Sequence, residues 1–275
     1  MKQLFFFLFL IYLPAAAQVS PVYSDPLNFI DGSDEAITDA MEMIRYGDPE
    51  GAIRHLKKDF KKSNRTFECE FLIGYSYKML GDLTNAIEYF SKATRYEASS
   101  LPAFFERGNC FLLRKNFAQA VFDYNHVIIL DSTFAPAYNN RAYARIRNYG
   151  ERIKPEYQLK LARLDMEKVI KLSVFNDSTQ RFEYYFNLGL LDLYISDYER
   201  ARVSFSHAIS ISPNQGKAYY YRAASSFLAH FYKEAEGDFN IANNLGYLQS
   251  NTPDFLKVID LVAEHQQTTG EYIGK

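Results

Sequence analysis

The stretch FECEFLIGYSYKMLGDLTNAIEYFSKATRYEASS, residues 67–100, decides the fold of this chain. It contains two short runs with helical spacing of apolar residues, separated by the turn residues Gly81 and Asp82. When the stretch is numbered 1 to 34, small residues occupy places 8 and 20, and a large aromatic residue occupies place 24. Two helices cross closely only where the side chains between them are small, so this spacing predicts a helix hairpin.

The same pattern recurs in six copies along the chain. Place 8 is always glycine or alanine, place 20 is always alanine, and place 24 is always large and apolar or aromatic. In chain order, the residues at place 8 are Ala40, Gly74, Gly108, Ala142, Gly189 and Ala223. Those at place 20 are Ala52, Ala86, Ala120, Ala162, Ala201 and Ala235. Those at place 24 are Leu56, Phe90, Tyr124, Met166, Phe205 and Phe239. The copies cover 33–66, 67–100, 101–134, 135–176 with an insertion in its turn, 182–215 and 216–249.

A repeat of 34 residues with this pattern resembles the tetratricopeptide repeat (TPR) family. The fifth copy matches the family motif at Tyr185, Leu188, Gly189, Tyr198, Ala201, Phe205, Ala208 and Pro213. The resemblance covers residues 33–249, and it implies an all-α, right-handed superhelical solenoid of six helix hairpins. Thr252 and Pro253 form a helix-start pattern, so we also expect a capping helix over 250–265, followed by a frayed tail over 266–275.

Residues 1–17 have the features of a cleaved export signal. Lys2 precedes an unbroken apolar run of ten residues, 4–13, and small residues follow it. A helix of that length spans roughly 15 Å, about half of a bilayer core, so a signal peptide is favoured over a membrane anchor. We therefore expect the mature chain to begin at Gln18, with an extended lead-in over 18–32.

Composition and motifs argue against several classes of function. The formal net charge is −2 and the apolar fraction is 48%, which favours a folded body and not a nucleic-acid binder. The sequence contains no nucleotide-binding glycine-rich loop and no zinc-protease, serine-hydrolase or CxxC motif. We therefore expect no catalytic residues, no cofactor, no metal and no enzymatic activity.

Three smaller features have structural interpretations. The acidic stretch 31–35 lacks the ligand spacing of a calcium loop, so we interpret it as a helix start capped by Asp31 or Ser33. Cys69 and Cys110 lie at places 3 and 10 of adjacent copies, too far apart for a disulfide, so we expect buried free thiols. His126 and His207 share place 26, which indicates a common packing role.

An arginine and an aspartate occur together in some copies of the repeat and are both absent from others. Place 7 is arginine and place 23 is aspartate in three copies, as Arg107 with Asp123, Arg141 with Asp165, and Arg222 with Asp238. In the fifth copy the two places are Leu188 and Ser204. Because a partly buried charge is costly without its partner, the pattern predicts a salt bridge between the two helices of each of these hairpins.

The family resemblance also indicates where a partner would bind. In the family, the first helices line a concave groove that places 2, 5, 9 and 12 face. Here the partner-binding candidates from places 5 and 9 are Phe71, Tyr75, Phe105, Asn109, Asn139, Tyr143, Phe186, Leu190 and Tyr220. We expect an exposed aromatic, amide-rich groove that suits an extended peptide or a partner helix. A glycan stacked on the rings and self-filling by residues 18–30 are the alternatives.

One binding mode of the family is not supported. Chaperone-binding members clamp a C-terminal carboxylate with a set of lysine, arginine and asparagine side chains. Asn109 and Asn140 match that set, but Phe105 replaces the first lysine, and Glu183 and Asn187 replace the last two basic residues. The positive charge of the clamp is missing.

A second candidate surface is basic. Residues 141–171 contain nine basic and four acidic side chains and include the expanded turn of the fourth copy. The candidate patch for an anionic partner comprises Arg145, Arg147, Arg152, Lys154 and Lys160. A solvated helix face is the simpler interpretation.

These features together predict an exported, non-enzymatic scaffold or adaptor of the cell envelope, in the periplasm or associated with the envelope. The expected partner is another protein or peptide, with no nucleic acid and no membrane span after signal cleavage. A glycan- or peptidoglycan-associated binding protein is the alternative. The oligomeric state is left open.

Overall fold

The computed structural model describes residues 26–60, 66–147, 155–172 and 178–247. They form a short 3-10 turn, Pro26–Phe29, and twelve α-helices, and no strand occurs among them. The helices are α1 Glu35–Arg45, α2 Pro49–Asp59, α3 Phe67–Met79, α4 Leu83–Tyr96, α5 Leu101–Leu113, α6 Phe117–Leu130, α7 Ala135–Arg147, α8 Pro155–Leu172, α9 Ser178–Tyr194, α10 Tyr198–Ile211, α11 Gly216–Leu228 and α12 Tyr232–Asn244. They pair as consecutive hairpins, so the predicted all-α repeat fold is confirmed.

The helices belong to two compact units, an N-terminal unit with α1–α8 and a C-terminal unit with α9–α12. Within each unit, every helix packs against the next one along the chain. The first helices of successive hairpins also contact one another directly. The first helices therefore form one layer of their unit, and this layer makes a surface that runs across several repeats.

The crossing point of the hairpins explains the small residues at place 8. In three hairpins a glycine lies against the aromatic ring at place 24. An added Cβ atom would lie 3.0 Å from the Phe90 ring at Gly74, 2.9 Å from the Tyr124 ring at Gly108 and 2.7 Å from the Phe205 ring at Gly189. These separations leave no room for a methyl group unless the ring moves, so the close crossing depends on glycine.

The turns inside five hairpins share one backbone geometry. The residue at place 15 has a positive φ, and it is Gly47 (82°), Gly81 (77°), Lys115 (60°), Ser196 (64°) or His230 (65°). The next residue is the N-cap of the second helix, and Asp48, Asp82, Asn116 and Asp197 accept a backbone N–H there. A left-handed residue followed at once by a cap reverses the chain in two residues.

The start of the fold differs from the sequence prediction in two details. Asp34 caps α1 by accepting the backbone N–H groups of Ala36 and Ile37, so the prediction of Asp31 or Ser33 as the cap is wrong. The lead-in over 18–32 is not extended throughout. Its described part contains the turn Pro26–Phe29, and Leu27 in that turn is buried in the core of the N-terminal unit.

Two helices, α8 and α9, begin earlier than predicted. α8 begins at Pro155 and not near Tyr157. α9 begins at Ser178, before the predicted repeat start at Phe182. The predicted signal peptide, the turn insertion around 148–154, the capping helix 250–265 and the tail 266–275 lie outside the described residues.

The remaining packing predictions are confirmed. Cys69 and Cys110 are fully buried and form no disulfide, and burial raises the pKa of the Cys110 thiol to about 12. The His126 ring lies 4.9 Å from that of Phe104, and the His207 ring lies 5.0 Å from that of Tyr185. The two histidines therefore pack in the same way in their hairpins.

Candidate interaction surface

The aromatic residues at place 5 are part of the core and not of a groove. Phe71 and Phe186 are 0% exposed and Phe105 is 3% exposed. Each contacts the ring at place 24 of its own hairpin, with centroid distances of 5.4 Å for Phe71–Phe90, 5.9 Å for Phe105–Tyr124 and 5.6 Å for Phe186–Phe205. The prediction that these rings are exposed is therefore wrong, because the partner ring draws each of them inward.

Three further groove candidates are also buried. Asn139, Leu190 and Tyr220 are 7%, 4% and 2% exposed. The remaining candidates, Tyr75, Asn109 and Tyr143, are partly exposed. These three belong to α3, α5 and α7, so the accessible part of the predicted surface lies on the first-helix layer of the N-terminal unit.

A chain of hydrogen bonds joins these three helices. The Lys78 ammonium of α3 donates to the Glu106 carboxylate of α5 at 2.5 Å, and the Asn109 amide donates to the same carboxylate at 3.4 Å. The Asn140 amide of α7 donates to the Asn109 carbonyl at 2.9 Å. We call Lys78, Glu106, Asn109 and Asn140 the polar ladder. It holds polar groups in fixed positions across three successive repeats.

The ladder is electrostatically balanced. Burial acts to lower the pKa of Lys78, but the neighbouring Glu106 carboxylate outweighs it, and the net effect is a raised pKa. The Glu106 side chain is only 2% exposed and is therefore charge-paired inside the surface. Burial also raises the pKa of Tyr124, so its hydroxyl stays protonated and donates to Asn109 at 2.9 Å. The four ladder residues offer amides and one neutralised charge pair, and not a net charge.

Two tyrosines flank the ladder, and each has a cation near its ring. The Lys78 ammonium lies 5.4 Å from the centroid of Tyr75, and the Arg147 guanidinium lies 5.4 Å from that of Tyr143. Tyr75 is also stacked with Phe71 at a centroid distance of 6.3 Å. These contacts restrain the rings while leaving both side chains partly exposed.

One member of the predicted basic patch, Arg145, is occupied within its own hairpin. Arg145 is half-buried, forms an ion pair with Asp165, and donates to the Leu161 carbonyl at 3.3 Å. Burial is the main effect on Arg145, and it lowers the pKa of the guanidinium. Lys160 is exposed, whereas Arg152 and Lys154 lie outside the described residues. Arg145 therefore belongs to the packing of its hairpin, because Asp165 lies within reach of two arginines.

All three predicted salt bridges are confirmed. The shortest N···O distances are 2.7 Å for Arg107–Asp123, 2.5 Å for Arg141–Asp165 and 2.6 Å for Arg222–Asp238. In each pair the guanidinium donates twice, from Nε and Nη2, to the two carboxylate oxygens. These arginines are occupied within their hairpins and are not a row of anion sites.

Sequence analysis missed Lys78 and Glu106. They lie 28 residues apart, at places 12 and 6 of successive copies. Place 12 faces the groove in the family, so the pattern contained a signal for Lys78. Among the described residues, no group of His, Cys, Asp and Glu side chains could hold a metal ion. The described helices include none with the length and hydropathy needed to span a bilayer.

Comparison with known proteins agrees with the geometry. A sequence profile described as tetratricopeptide repeat matches residues 71–100 and 182–215, one segment in each unit. The helix pairs found along the described chain have the same repeat architecture. The chain therefore contains tetratricopeptide repeats at 71–100 and 182–215, and its other described helix pairs share their fold. Repeats of this class stack helix pairs into extended surfaces.

Solved structures share the fold at low sequence identity. MamA residues 41 to the end from Desulfovibrio magneticus RS-1 is 20% identical, over 70% of this chain and 98% of that one, with a TM-score of 0.54. The C-terminal part of a TPR repeat-containing protein from Cytophaga hutchinsonii is 18% identical, over 76% of this chain and 78% of that one, with a TM-score of 0.58. YrrB, described as a TPR protein with an unusual peptide-binding site, is 14% identical, over 69% of this chain and 91% of that one, with a TM-score of 0.54. A search of curated proteins finds no significant match.

Proposed function

We propose that this protein is a non-enzymatic scaffold that binds an extended segment of another protein across α3, α5 and α7. The polar ladder carries this proposal, because it aligns polar side chains of three successive repeats on one layer, among them the amides of Asn109 and Asn140. An extended peptide has backbone donors and acceptors at regular intervals, and side-chain amides supply both kinds of partner. Tyr75 and Tyr143 add partly exposed apolar area beside the amides.

The charge of the surface limits the kind of segment that it can recognise. Glu106 is neutralised by Lys78, and the chaperone-type clamp lacks its basic residues. The segment bound should therefore be recognised through its backbone and apolar side chains, and not through a terminal carboxylate. A glycan is less favoured, because Phe71 and Lys78 already contact the ring of Tyr75, which reduces the ring face on which a sugar could stack.

The site of action that we propose is the cell envelope, in the periplasm or bound to an envelope component. The apolar run at 4–13 and the small residues after it support export of the chain. In this setting the protein would act as an adaptor between envelope proteins. Its mature form would present the ladder surface without a membrane span.

The proposal is tested with a matched pair of double variants. Tyr75→Ala with Tyr143→Ala removes both partly exposed rings beside the ladder. Tyr46→Ala with Tyr96→Ala removes two rings that are 87% and 53% exposed in the same unit. Tyr46 follows the last residue of α1 and Tyr96 is the last residue of α4, so neither belongs to α3, α5 or α7. Each mature protein is crosslinked in envelope extract, and the captured proteins are identified by mass spectrometry.

We expect one or more partners to be captured by the unaltered protein and by the control, and to be lost from the ladder variant. Circular dichroism must show equal helix content in all three proteins, because an unfolded variant would also lose a partner. A partner retained by the ladder variant would contradict the proposed surface. Capture of cell-wall glycan in place of a protein would support the alternative function.

A further inference from the structure

The C-terminal unit contains a cavity of about 520 Å³ that the proposed scaffold function does not use. It lies between the beginning of α9 and the end of α10. Its lining residues are Ser178, Arg181, Tyr185, His207, Ser210 and Ile211. The volume falls within the range of roughly 300–1,000 Å³ that is typical of small-molecule sites.

The cavity is created by a feature peculiar to this repeat. α9 begins at Ser178, whereas the predicted repeat begins at Phe182, so the helix has an additional first turn. Other first helices, such as α5 at Leu101 and α11 at Gly216, begin at the first residue of their predicted repeats. The additional turn contributes Ser178 and Arg181 to the wall opposite the last turn of α10.

Two of the lining residues, Tyr185 and His207, form a ring contact that also occurs in another hairpin. The Tyr185 and His207 rings have a centroid distance of 5.0 Å and an interplanar angle of 32°. The equivalent pair in another hairpin, Phe104 and His126, has a centroid distance of 4.9 Å and an interplanar angle of 33°. The fold therefore supplies the same ring contact in both places. The residues added by the additional turn of α9 distinguish this hairpin from the other one.

The lining has cationic and donor groups and no carboxylate. Arg181 is exposed and forms no hydrogen bond or ion pair with any residue that the structure describes. The ring nitrogens of His207 and the hydroxyl of Ser178 likewise make no hydrogen bond to the described residues. The Ser210 hydroxyl is occupied, because it donates to the His207 carbonyl at 2.7 Å. Within the described part of the chain, nothing occupies these three groups, and one of them carries a fixed positive charge.

We propose that this cavity binds a small organic molecule that carries an oxyanion, either a carboxylate or a phosphate. The guanidinium of Arg181 matches the two oxygens of such a group through parallel N–H donors. The Tyr185 ring and the Ile211 side chain provide an apolar wall for the body of the ligand. The site is independent of the polar ladder, since it lies in the other unit.

The test uses three probes and the mature full-length protein. Benzoate carries a carboxylate on a ring, phenyl phosphate carries a phosphate on a ring, and inorganic phosphate has no apolar body. Binding of each probe is measured by isothermal titration calorimetry. We expect saturable binding of at least one ring-bearing probe, and weaker binding of inorganic phosphate. Comparison of benzoate with phenyl phosphate decides which oxyanion the cavity prefers.

Matched variants connect the binding to the cavity. Arg181→Gln removes the charge and should weaken the binding of the ring-bearing probe about tenfold or more. Arg200→Gln removes an arginine of the same unit that is 60% exposed and lies outside the cavity, and it should leave the affinity unchanged. The proposal is overturned if no ring-bearing probe saturates a site at millimolar concentration, or if the two variants weaken binding equally. Retained helix content in Arg181→Gln excludes unfolding as the cause.

Discussion

At the scale of single residues, the arginine at place 7 joins three helices. Besides the aspartate of its own hairpin, Arg107 donates to the Ser91 hydroxyl at 3.2 Å, in the second helix of the preceding hairpin. The corresponding acceptors are Asn125 for Arg141, at 2.7 Å, and Ser206 for Arg222, at 3.0 Å. The salt bridge therefore also stabilises the contact between successive repeats, which explains why its two members occur together.

The pair Arg107–Asp123 gives the first prediction. Asp123 is 1% exposed, and its removal leaves the guanidinium without its carboxylate. We expect Asp123→Ala to lower the free energy of unfolding by about 3 kcal/mol. The double variant Arg107→Leu with Asp123→Ser, which copies the residues of the fifth repeat, should show a smaller decrease in the free energy of unfolding. Urea unfolding followed by circular dichroism measures both, and equal midpoints would contradict the pairing.

The hairpin α5–α6 is the cleaner place for this test. In α7–α8, Arg145 also pairs with Asp165, so removal of Asp165 affects two arginines at once. The double variant of Arg141 and Asp165 would still leave Arg145 without its partner. Arg107 and Asp123 form a separate pair whose other partners are hydroxyl groups.

The glycines give a second prediction at this scale. At Gly189 an added Cβ would lie within 2.8 Å of three ring atoms of Phe205, which is fully buried. At Gly237 in α12 an added Cβ would meet nothing within 4 Å. We expect Gly189→Ala to lower the free energy of unfolding by about 1–3 kcal/mol, and Gly237→Ala to raise it by up to about 1 kcal/mol. Thermal unfolding of the two variants decides this, and a stabilised Gly189→Ala would disprove the close crossing.

At the scale of elements, the hairpin turn places a residue in the left-handed region. Two hairpins use glycine there, and three use Lys115, Ser196 and His230, with φ between 60° and 65°. The left-handed conformation costs an L-residue roughly 1–2 kcal/mol, whereas glycine adopts it without that penalty. The repeat geometry imposes this conformation whatever the side chain, since the following residue must cap the second helix.

Substitution at this turn gives the third prediction. Ser196→Gly should raise the free energy of unfolding by about 0.5–1 kcal/mol, because it removes the strain of a side chain at a φ of 64°. The reverse change, Gly81→Ser, should lower it by a similar amount at a φ of 77°. Differential scanning calorimetry of both variants is the measurement. Shifts in the same direction would show that backbone strain at this place is not the controlling factor.

At the scale of the whole molecule, the two proposed sites lie in different units. The ladder surface belongs to the first helices of the N-terminal unit, and the oxyanion cavity belongs to one hairpin of the C-terminal unit. The two sites also differ in how they are built. The ladder uses side chains from three repeats, as is general for stacked repeats, whereas the cavity uses a local extension of one helix.

Export gives the fourth prediction. When residues 1–275 are produced in a bacterium with a periplasm, we expect a periplasmic protein whose first residue is Gln18, because a signal peptidase requires the small residues before that position. Ala17→Phe should block the cleavage, since a large side chain does not suit the peptidase. Intact-mass measurement of the periplasmic fraction checks both. A chain that keeps Met1 in the cytoplasm would rule out the signal.

Features that repeat within 34 residues could be predicted from the amino-acid sequence alone. The hairpins, the small crossing residues and the pairs such as Arg107–Asp123 follow from spacing alone, because their two members come from one hairpin. Helix starts and the positions of turns were also predictable, to within a few residues, from caps and glycines. The family profile matches at 71–100 and 182–215 agree with this reading of the pattern.

Which side chains a partner can reach could not be predicted from the sequence, because it depends on how the hairpins pack. Phe71 occupies a place that faces the groove in the family, yet it packs inward because the ring of Phe90 is within reach. The Lys78–Glu106 and Asn109–Asn140 contacts join residues 28 and 31 positions apart, on neighbouring repeats. Spacing within one repeat cannot specify such contacts. They depend on the distance and angle between stacked hairpins, which are set by the packing of the whole layer.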